Sequence, residues 1–400
     1  MNVGVLTSLY PSDARPVEGV FAQRRWLALQ ARGHVVRVVH PRPFALSWIG
    51  PAAWRAIAAA PRHENRLGLE VLRPRYWHWP ARAATNAKAF AAVGVKALQS
   101  LGTVDVVFAD YAWPAAQAAR AVRAWGRPMV IHGRGSDILQ VAGEPKLRPA
   151  LVDALATAGN WCAVSADLVA HMDELGGAPG RGVLIPNGVD SQLFAPGDRL
   201  AARSELGLDP HGTVILVVGH LIERKDPLLA LASARAWHAQ HAQRKQAHEH
   251  AIVFVGAGVL EPALRAQAAL CKTGPKERGL CVRLEGELAA PALASWYRAA
   301  DVLLLTSTRE GRPNVVLEAL ASGLPVLATE AGGTGELLEG LPMCLAATRD
   351  PDQLAKALAA LLKRPPAAAD LRERALRLSW QASTDRLETY LQAVRAAQNN

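Results

Sequence analysis

The chain has 400 residues, of which 50% are hydrophobic, and it carries a formal net charge of +10 at pH 7. This length exceeds what one hydrophobic core usually supports, so we expect two domains of about 150 to 200 residues each. No apolar run approaches the roughly 18 residues that a membrane-spanning helix needs. The positive charge favours an anionic substrate or an anionic membrane surface over nucleic acid, because no zinc-finger, RNP-like or basic-zipper pattern is present.

Short apolar strands alternate with Ala- and Leu-rich helices through the first half of the chain. Strands are predicted at 3–8, 35–41, 69–74, 104–109, 128–133, 161–164 and 182–186, and helices at 20–32, 85–100, 114–125, 147–158 and 166–175. Nearly continuous apolar strands separated by helices are typical of a parallel sheet covered on both faces. The first residues read as a strand and lack the features of a secretory signal, so we expect a cytoplasmic protein.

The same pattern restarts after the turn-rich stretch "NGVDSQLFAPGD" at 187–198. Strands are predicted at 213–219, 251–256, 281–286, 301–307, 325–329 and 343–347, and helices at 226–240, 259–271, 289–299, 314–322 and 351–363. The fold class is therefore α/β, with two doubly wound Rossmann-like domains, 1–195 and 196–379, facing each other across a cleft. Ligands in such sheets bind at the carboxyl ends of the strands.

The stretch "STREGRPNVVLEALASG" places two glutamates around the start of a helix. Glu310 follows a strand, and Glu318 lies in the middle of the helix that begins near Pro313. The first N–H groups of this helix, at 314–316, form an anion site through Asn314, Val315 and Val316. Carboxylates beside such a site suit a phosphate ligand that is flanked by hydroxyl-rich groups. The alternative is that both glutamates are ordinary surface residues.

A second stretch, "VVGHLIERKDP", brings cations to the end of another strand. Gly219 and His220 follow the strand, and Arg224 and Lys225 reach the same edge, where they could neutralise a diphosphate. The alternative is a solvated loop whose charges have no ligand.

The turn "VGAG" contains Gly256 and Gly258 and resembles half of a dinucleotide fingerprint. The third glycine and the usual acid are missing, so the turn favours close backbone approach to a nucleotide more than NAD binding.

The first domain contributes two further stretches. His132 in "VIHGRGSD" would face the cleft, or else be a structural histidine with satisfied hydrogen bonds. Gly19 in "RPVEGVFAQR" begins a helix and could offer its N–H to an anion.

The cysteines and histidines do not indicate a metal site. Four scattered cysteines form no C-x-x-C pair, and the histidine-rich segment 238–251 lacks a carboxylate or cysteine at ligand spacing. We therefore expect neither a metal ion nor a cofactor.

Taken in order, "IPNGVD" at 185–190, Gly-x5-Lys, "VGAG", "REGRPNVVLEALASGLPVLAT" and "AGG…E" resemble a family-4 retaining glycosyltransferase of the GT-B fold, of the cell-surface polysaccharide type. The resemblance covers nearly the whole chain and is strongest from 183 to 340. It implies an acceptor-binding first domain, a nucleotide-sugar-binding second domain, and a closing helix at 380–397 that packs back on the first domain. It also implies transfer without a metal.

The resemblance implies a role for each motif. Glu310 is the first glutamate of the E-x7-E pair and holds hydroxyls of the donor sugar, whereas Glu318 binds the ribose. Arg224 and Lys225 meet the diphosphate together with the helix start at 314–316. His132 lies near the reaction centre, and Gly19 binds the distal phosphate.

Two departures from the family pattern concern phosphate binding. Many members have Gly-Arg where this chain has Gly219-His220, and many have two glycines in the first loop, where this chain has only Gly19. Phosphate binding then depends more on Lys225, or His220 adds a pH-dependent charge.

Tryptophan and basic residues alternate in 42–63 and 73–90, which suits an anionic bilayer interface where a polyprenyl-linked acceptor is met. The alternative is that the tryptophans pack a core. We therefore expect a nucleotide sugar and a glycan or polyprenyl-linked acceptor as partners, and a peripheral position on the inner face of the cell membrane. The competing interpretations of the whole chain are a nucleotide-sugar epimerase, an NAD-dependent oxidoreductase, and a non-catalytic nucleotide-sugar-binding subunit.

Overall fold

The computed structural model describes residues 1–16, 18–44, 52–241, 248–269 and 280–399. The chain forms two compact units. The first unit combines Met1–Asn187 with Trp380–Asn400, and the second unit is Gly188–Ser379. The division therefore falls at Asn187 and Gly188 rather than at 195 and 196, because the turn-rich stretch groups with the second unit.

The first unit is built on an eight-stranded sheet with a small two-stranded ribbon, β3 and β6, beside it. Its strands are β1 Asn2–Thr7, β2 Val35–Val39, β3 Arg42–Pro43, β4 His63–Arg66, β5 Leu69–Leu72, β6 Arg75–Tyr76, β7 Val106–Asp110, β8 Met129–Gly133, β9 Trp161–Ala163 and β10 Val183–Leu184. The order in the large sheet is β10-β9-β8-β7-β1-β2-β5-β4, and every pair is parallel except β4 with β5. This confirms the predicted parallel sheet.

Helices cover this sheet and complete its core. They are α1 Val20–Gln30, α2 Ala52–Ala59, α3 Ala83–Ser100, α4 Ala112–Ala115, α5 Ala119–Ala124, α6 Ser136–Gly143, α7 Arg148–Ala158 and α8 Ala166–Gly176, with the closing helix Trp380–Asn399. The helix predicted at 114–125 is divided, because a 3-10 turn at Ala116–Ala118 separates α4 from α5. Trp113, which precedes a proline, is extended within α4 (φ −101°, ψ 129°). The closing helix buries Leu387, Leu391 and Val394 in the same core cluster as β1 and α1.

The second unit holds a six-stranded sheet in which every pair of neighbouring strands is parallel. Its strands are β11 Val214–Val218, β12 Ala251–Val255, β13 Cys281–Gly286, β14 Val302–Leu305, β15 Val326–Thr329 and β16 Leu345–Ala346. Its helices are α9 Arg199–Glu205, α10 Pro227–His241, α11 Glu261–Ala269, α12 Ala290–Ala299, α13 Asn314–Ala321, α14 Thr334–Leu338, α15 Pro351–Lys363 and α16 Ala368–Leu376. The closing helix Trp380–Asn399 is therefore α17 in chain order.

Each sheet has one point at which the chain reverses the direction in which it adds strands. In the first unit this point lies between β1 and β7, and in the second unit between β11 and β14. The loops that leave two such strands diverge, so a crevice opens at the carboxyl ends of the strands, where doubly wound sheets bind ligands. The sequence motifs that follow β11 and β14 therefore lie next to each other at this edge of the second sheet.

Candidate active site

The loops after β11 and β14 bring a lysine, an arginine and a glutamate together. Lys225 Nζ lies 2.5 Å from Glu310 Oε1, and Arg224 Nη1 lies 3.5 Å from Glu310 Oε2. Ser307 also donates from its Oγ to Glu310 Oε1 at 2.5 Å. The charges that the sequence placed on two separate loops thus form one cluster at the point where the sheet reverses direction.

The exposure of these side chains argues against the surface alternative. Glu310 is only 6% exposed, whereas the side chains of Lys225 and Arg224 are 15% and 29% exposed. A carboxylate that only improves solubility would not be buried against two cations. Among the described residues, Glu310 Oε2 has one ion-pair contact, with Arg224 Nη1 at 3.5 Å. This oxygen can therefore still accept hydrogen bonds from a ligand.

Glycines allow the backbone of this edge to pack closely. A Cβ on Gly332 would lie 2.1 Å from the carbonyl oxygen of Glu310, and Gly332 has a φ of +49°. The "AGG" loop therefore supports the backbone of Glu310. A Cβ on Gly256 would likewise meet Gly219 O at 2.1 Å, and one on Gly258 would meet Leu221 O at 2.3 Å. The Gly-x-Gly turn thus has a structural explanation in the neighbouring loop, without a dinucleotide.

The start of α13 differs slightly from the prediction. The helix begins at Asn314, with Pro313 in the N-cap position, where no side chain can cap the first turn. The N–H of Val316 donates to Pro313 O at 3.2 Å, so it is already used within the turn. Of the N–H groups predicted to bind an anion, Val316 is therefore a weaker candidate than Val315.

Glu318 has a partner that the sequence analysis missed. Tyr297, on α12, donates from its Oη to Glu318 Oε2 at 3.0 Å, and it also contacts Val315 O at 3.3 Å. Burial, and then the nearby Glu318 carboxylate, raise the pKa of Tyr297 well above its ordinary value. Glu318 is 7% exposed, so it is not a surface residue of the helix. Tyr297 is a positioning residue for this carboxylate.

Arg349 is a second residue that the motifs did not reveal. Its Nη1 donates to the carbonyl oxygens of Thr306 and Ser307 at 2.9 and 3.1 Å, and its Nη2 lies 2.6 Å from Asp226 Oδ2. Asp226 directly follows Lys225 and has a φ of +45°, which is strained for an L-residue. Arg349 therefore ties together the two loops that carry the lysine and the glutamate.

The predicted site residue of the first unit, His132, lies in a buried polar network. Its Nδ1 donates to Asp110 Oδ1 at 2.9 Å, and its Nε2 lies 3.0 Å from Arg25 Nη1. Arg25 Nη2 donates to Asn187 Oδ1 at 2.9 Å, and Trp26 donates to Asp110 Oδ2 at 2.9 Å. His132 and Asp110 are completely buried. The geometry fits the structural alternative for His132, and its contact with a donor stays a prediction.

Burial and neighbouring charges determine the ionisation of this network. Burial, reinforced by the Arg25 guanidinium, lowers the pKa of His132 to about 3, so the ring is neutral. Burial alone would raise the pKa of Asp110, but Arg134, His132 and Arg25 together hold it below the ordinary value. The network is therefore a carboxylate that is balanced by arginines, with a neutral imidazole between them.

The remaining predicted residues lie at the same edges of the two sheets. Gly19 precedes α1 with a φ of +71°, and a Cβ there would meet Leu9 O at 2.5 Å, so packing as well as anion binding requires glycine. His220 follows Gly219 and is exposed. Both stay candidate ligand contacts.

The predicted basic and aromatic surface is only partly present. Trp77 and Trp79 are 70% and 58% exposed, but Arg42 and Arg73 are buried. Trp48 lies outside the described residues. No helix among the described residues is long and apolar enough to cross a membrane, and those residues contain no cluster of three or more His, Cys, Asp or Glu side chains placed to hold a metal.

Comparison with protein families gives two matches that cover most of the chain. The profile of the family described as "Glycosyl transferases group 1" matches residues 212–364. A profile described as "Glycosyl transferase 4-like domain" matches residues 19–188.

Individual relatives span most of the chain as well. D-inositol 3-phosphate glycosyltransferase 2 of Catenulispora acidiphila is 32% identical over 307 residues, covering 72% of this chain and 70% of the relative. The putative teichuronic acid biosynthesis glycosyltransferase TuaC of Bacillus subtilis is 27% identical over 346 residues, covering 84% and 83%.

Solved structures resemble the whole chain at low sequence identity. Anabaena HepE in complex with UDP and glucose superposes with a TM-score of 0.72 at 20% identity, covering 98% of this chain and 100% of that chain. Sucrose-phosphate synthase of Thermosynechococcus elongatus gives a TM-score of 0.77 at 19% identity, covering 99% and 100%.

Proposed function

Because the chain belongs to the group 1 glycosyl transferases, we propose that it moves a sugar from a nucleotide-sugar donor to a glycan or lipid-linked acceptor with retention of configuration. Its fold is GT-B, which confirms the predicted fold class. We further assign it to family 4 and to the synthesis of cell-surface polysaccharide or glycolipid. The relative that is named for teichuronic acid biosynthesis supports this last assignment.

The observation that carries this proposal is the ion pair of Lys225 with Glu310 where the second sheet reverses direction. A nucleotide sugar presents a diphosphate next to a hydroxyl-rich ring. Lys225 and Arg224 supply the charge for the diphosphate, and Glu310 Oε2 is an acceptor for sugar hydroxyls. Without ligand, Glu310 forms ion pairs with both Lys225 and Arg224. When the diphosphate binds, these two cations interact with it as well as with Glu310.

The nucleoside part of the donor is assigned to Glu318 and the start of α13. Tyr297 fixes the Glu318 carboxylate, which then presents its remaining lone pairs to the ribose hydroxyls. The N–H of Val315 and the positive end of the helix dipole face the diphosphate.

The chemistry follows from the charge that develops. The bond between sugar C1 and the phosphate oxygen breaks with its electron pair leaving on the diphosphate, and the acceptor hydroxyl attacks C1 from the same face. The acceptor proton passes to the departing phosphate oxygen. Lys225 and Arg224 stabilise the charge that grows on this oxygen, which is why we propose transfer without a metal ion.

The exposed aromatic side chains of the first unit bear on the acceptor and on the cellular location. Trp77 and Trp79 are exposed, as a surface at a bilayer interface requires. We therefore propose a polyprenyl-linked or glycan acceptor met at the inner face of the cell membrane, and a cytoplasmic, peripheral protein.

The test is thermal unfolding with a panel of UDP-, GDP- and ADP-sugars, the free diphosphates and NAD(P)H. A ligand that binds only the folded state raises its stability with the ratio of ligand concentration to dissociation constant, by about 2.7 kcal/mol at a hundredfold ratio. We expect one nucleoside diphosphate and its sugar to raise the midpoint, and Lys225→Ala to remove most of that shift.

A rise of the unfolding midpoint with NAD(P)H and with no nucleoside diphosphate or nucleotide sugar would contradict the proposal. So would a nucleotide-dependent shift that Lys225→Ala leaves intact, because the diphosphate would then lie elsewhere. Arg235→Ala, on α10 of the same unit, is the control that removes a cation at a position outside the site.

A further inference from the structure

The loops at the carboxyl edge of the first sheet bring several arginines together, and two of these arginines, Arg42 and Arg73, are buried. β1, β2 and β5 are neighbours in this sheet, so the residues that follow them meet at one edge. We call the residues concerned the arginine cluster: Arg15, Arg42, Arg73 and Arg75, with His40. Two carboxylates, Glu18 and Glu64, form ion pairs with members of this cluster.

Two members of the arginine cluster have a structural task that explains their burial. Arg73 Nη2 donates to Pro11 O and to Glu64 Oε1, both at 2.7 Å. Arg75 donates to the carbonyl oxygens of Ile57, Ala58 and Ala60 at 2.9 to 3.2 Å, so it caps the carboxyl end of α2.

Arg42 is held by fewer contacts, because its Nη1 lies 3.0 Å from His40 Nε2 and 3.3 Å from Glu18 Oε2. Arg42 is 5% exposed, and its Nε, like that of Arg73, is buried without a hydrogen-bond partner in the described part of the chain. Its closest carboxylate is Glu18, whose Oε2 lies 3.3 Å from Arg42 Nη1, while Glu18 Oε1 lies 3.3 Å from Arg15 Nη1. Charged hydrogen bonds of this type usually measure about 2.7 to 2.9 Å, so Glu18 bridges the two arginines loosely.

The cations of the cluster also repel one another. Burial, opposed by Glu18 but reinforced by Arg15 and Arg73, lowers the pKa of Arg42. Burial and the surrounding arginines hold the pKa of His40 well below its ordinary value, so this ring is neutral. Burying cations with too few carboxylates costs free energy, unless an additional anion joins them.

We propose that Arg42 and Arg15 form a binding site for a phosphate group of the acceptor, and that the Glu18 carboxylate occupies this site until the acceptor displaces it. The inference rests on the proposed function, because it assigns a chemical class to the acceptor of the same reaction. A phosphate offers more acceptor oxygens than a carboxylate, so it can satisfy Arg42 Nε as well as the two Nη1 groups.

The location of the arginine cluster is suitable for a substrate. Arg15 and Glu18 lie in the loop after β1, one of the two strands between which the first sheet reverses direction. Their side chains are 33% and 18% exposed, so an anion reaches them from solvent. Glu18 directly precedes Gly19, which is itself a candidate phosphate contact.

The experiment is calorimetric titration of the Lys225→Ala protein with D-inositol 3-phosphate at constant ionic strength, with uncharged myo-inositol as the reference ligand. The Lys225→Ala background weakens the proposed diphosphate site of the second unit. We expect binding of the phosphate but not of myo-inositol, and Arg42→Met should weaken it by about tenfold or more, the value of a lost charged hydrogen bond.

Glu18→Gln gives the sharper test, because it should change the affinity in the opposite direction. Removing the competing negative charge should tighten phosphate binding by about three- to tenfold. The matched controls are Arg37→Met and Glu70→Gln, which break a partly exposed ion pair on β2 and β5 and should leave the affinity unchanged. Thermal unfolding of each variant shows whether it is folded.

A second arm distinguishes a soluble phosphate from a lipid-borne one. Phosphatidylglycerol vesicles that bind in place of inositol phosphate, with the same response to Arg42→Met and Glu18→Gln, would assign the site to a lipid phosphate. Binding that neither variant changes, or no binding of inositol phosphate, inorganic phosphate or vesicles, overturns the proposal. This outcome would not change the result of thermal unfolding with nucleotides. The acceptor-phosphate proposal can therefore fail while the proposed glycosyltransferase function stands.

Discussion

Both sheets have charged residues at their carboxyl edges, but the solvent exposure of these residues differs between the two units. In the first unit, Asp110, His132 and Arg25 are at most 1% exposed, and they contact one another. In the second unit, Lys225 and Arg224 keep 15% and 29% of their side chains exposed around Glu310. One cluster is closed to solvent, and the other is open on its cationic side.

This difference indicates which cluster exchanges partners with a ligand. A buried ion network strongly resists the loss of one member, because the remaining charge has no access to water. A partly exposed cation can transfer from a carboxylate to a phosphate at little cost. We therefore expect changes in the first network to affect stability, and changes in the second cluster to affect catalysis.

The largest expected effect is that of Asp110→Ala. It leaves Arg25 buried without its carboxylate, so the free energy of unfolding should fall by about 3–5 kcal/mol. Urea unfolding measures this loss. Asp153→Ala, which breaks the exposed pair with Arg120, should change stability by less than about 1 kcal/mol. Equal losses in the two variants would show that burial does not increase the cost of losing the Asp110 carboxylate.

Glu310→Gln should affect catalysis more than stability. The loss of the carboxylate that we propose holds the donor sugar should lower kcat by about 10²–10³-fold, while nucleotide binding is largely kept because Lys225 and Arg224 remain. Turnover of donor with acceptor and the thermal shift with nucleotide measure the two quantities. Normal turnover in this variant would show that the site assignment is wrong.

The pH dependence of stability tests the closed network in a different way. The pKa of His132, about 3 in the folded protein, is below the ordinary 6.5. Between these values the unfolded chain binds a proton that the folded chain does not. Stability should therefore fall as pH drops through this window, by at most about 1.4 kcal/mol per pH unit.

His132→Asn isolates this contribution. Asp137, whose pKa burial raises to about 6 against opposing hydrogen bonds from backbone N–H groups, has the opposite pH dependence, but it is present in both proteins. Urea unfolding at about pH 7 and about pH 5 should show a larger loss for the wild type than for the variant. Parallel losses would mean that His132 titrates normally and is not buried as a neutral ring.

The smallest expected effect is that of Tyr297→Phe. Removing the hydrogen bond to Glu318 should lower stability by about 1 kcal/mol and raise the donor KM about threefold, with kcat kept. Tyr390→Phe removes a similar bond, to Trp161 O, in the first unit, and should leave the KM unchanged. A Tyr297→Phe enzyme with an unchanged KM would separate Glu318 from the nucleotide.

Most of the fold could be predicted from the sequence because the strands are short apolar runs. Val214–Val218 is buried throughout, and it lies within the strand predicted at 213–219. The edge strand His63–Arg66 was missed because its sequence, HENR, has no apolar alternation and it is held by antiparallel pairing with β5. Helix α6, Ser136–Gly143, was missed because it begins within a glycine-rich loop.

The candidate site was predictable only where neighbouring strands determine it. Lys225 and Glu310 follow strands that are adjacent in the sheet, so the topology alone brings them together. Arg349 and Tyr297 are distant in sequence from the residues that they position, and nothing in their own segments indicates these contacts. Gly256 and Gly258 were correctly expected to allow close approach, but the approaching group in the structure is the backbone of the adjacent loop.

The closing helix α17 has a consequence for how the chain folds as it is synthesised. The second unit is one continuous segment, Gly188–Ser379, whereas the first needs Trp380–Asn400. Leu387 and Leu391 fill the core beside β1, so the half that leaves the ribosome first should complete its core last. A chain that stops at Ser379 should bind a dye specific for exposed apolar surface, and dye binding no greater than that of the full chain would contradict this order.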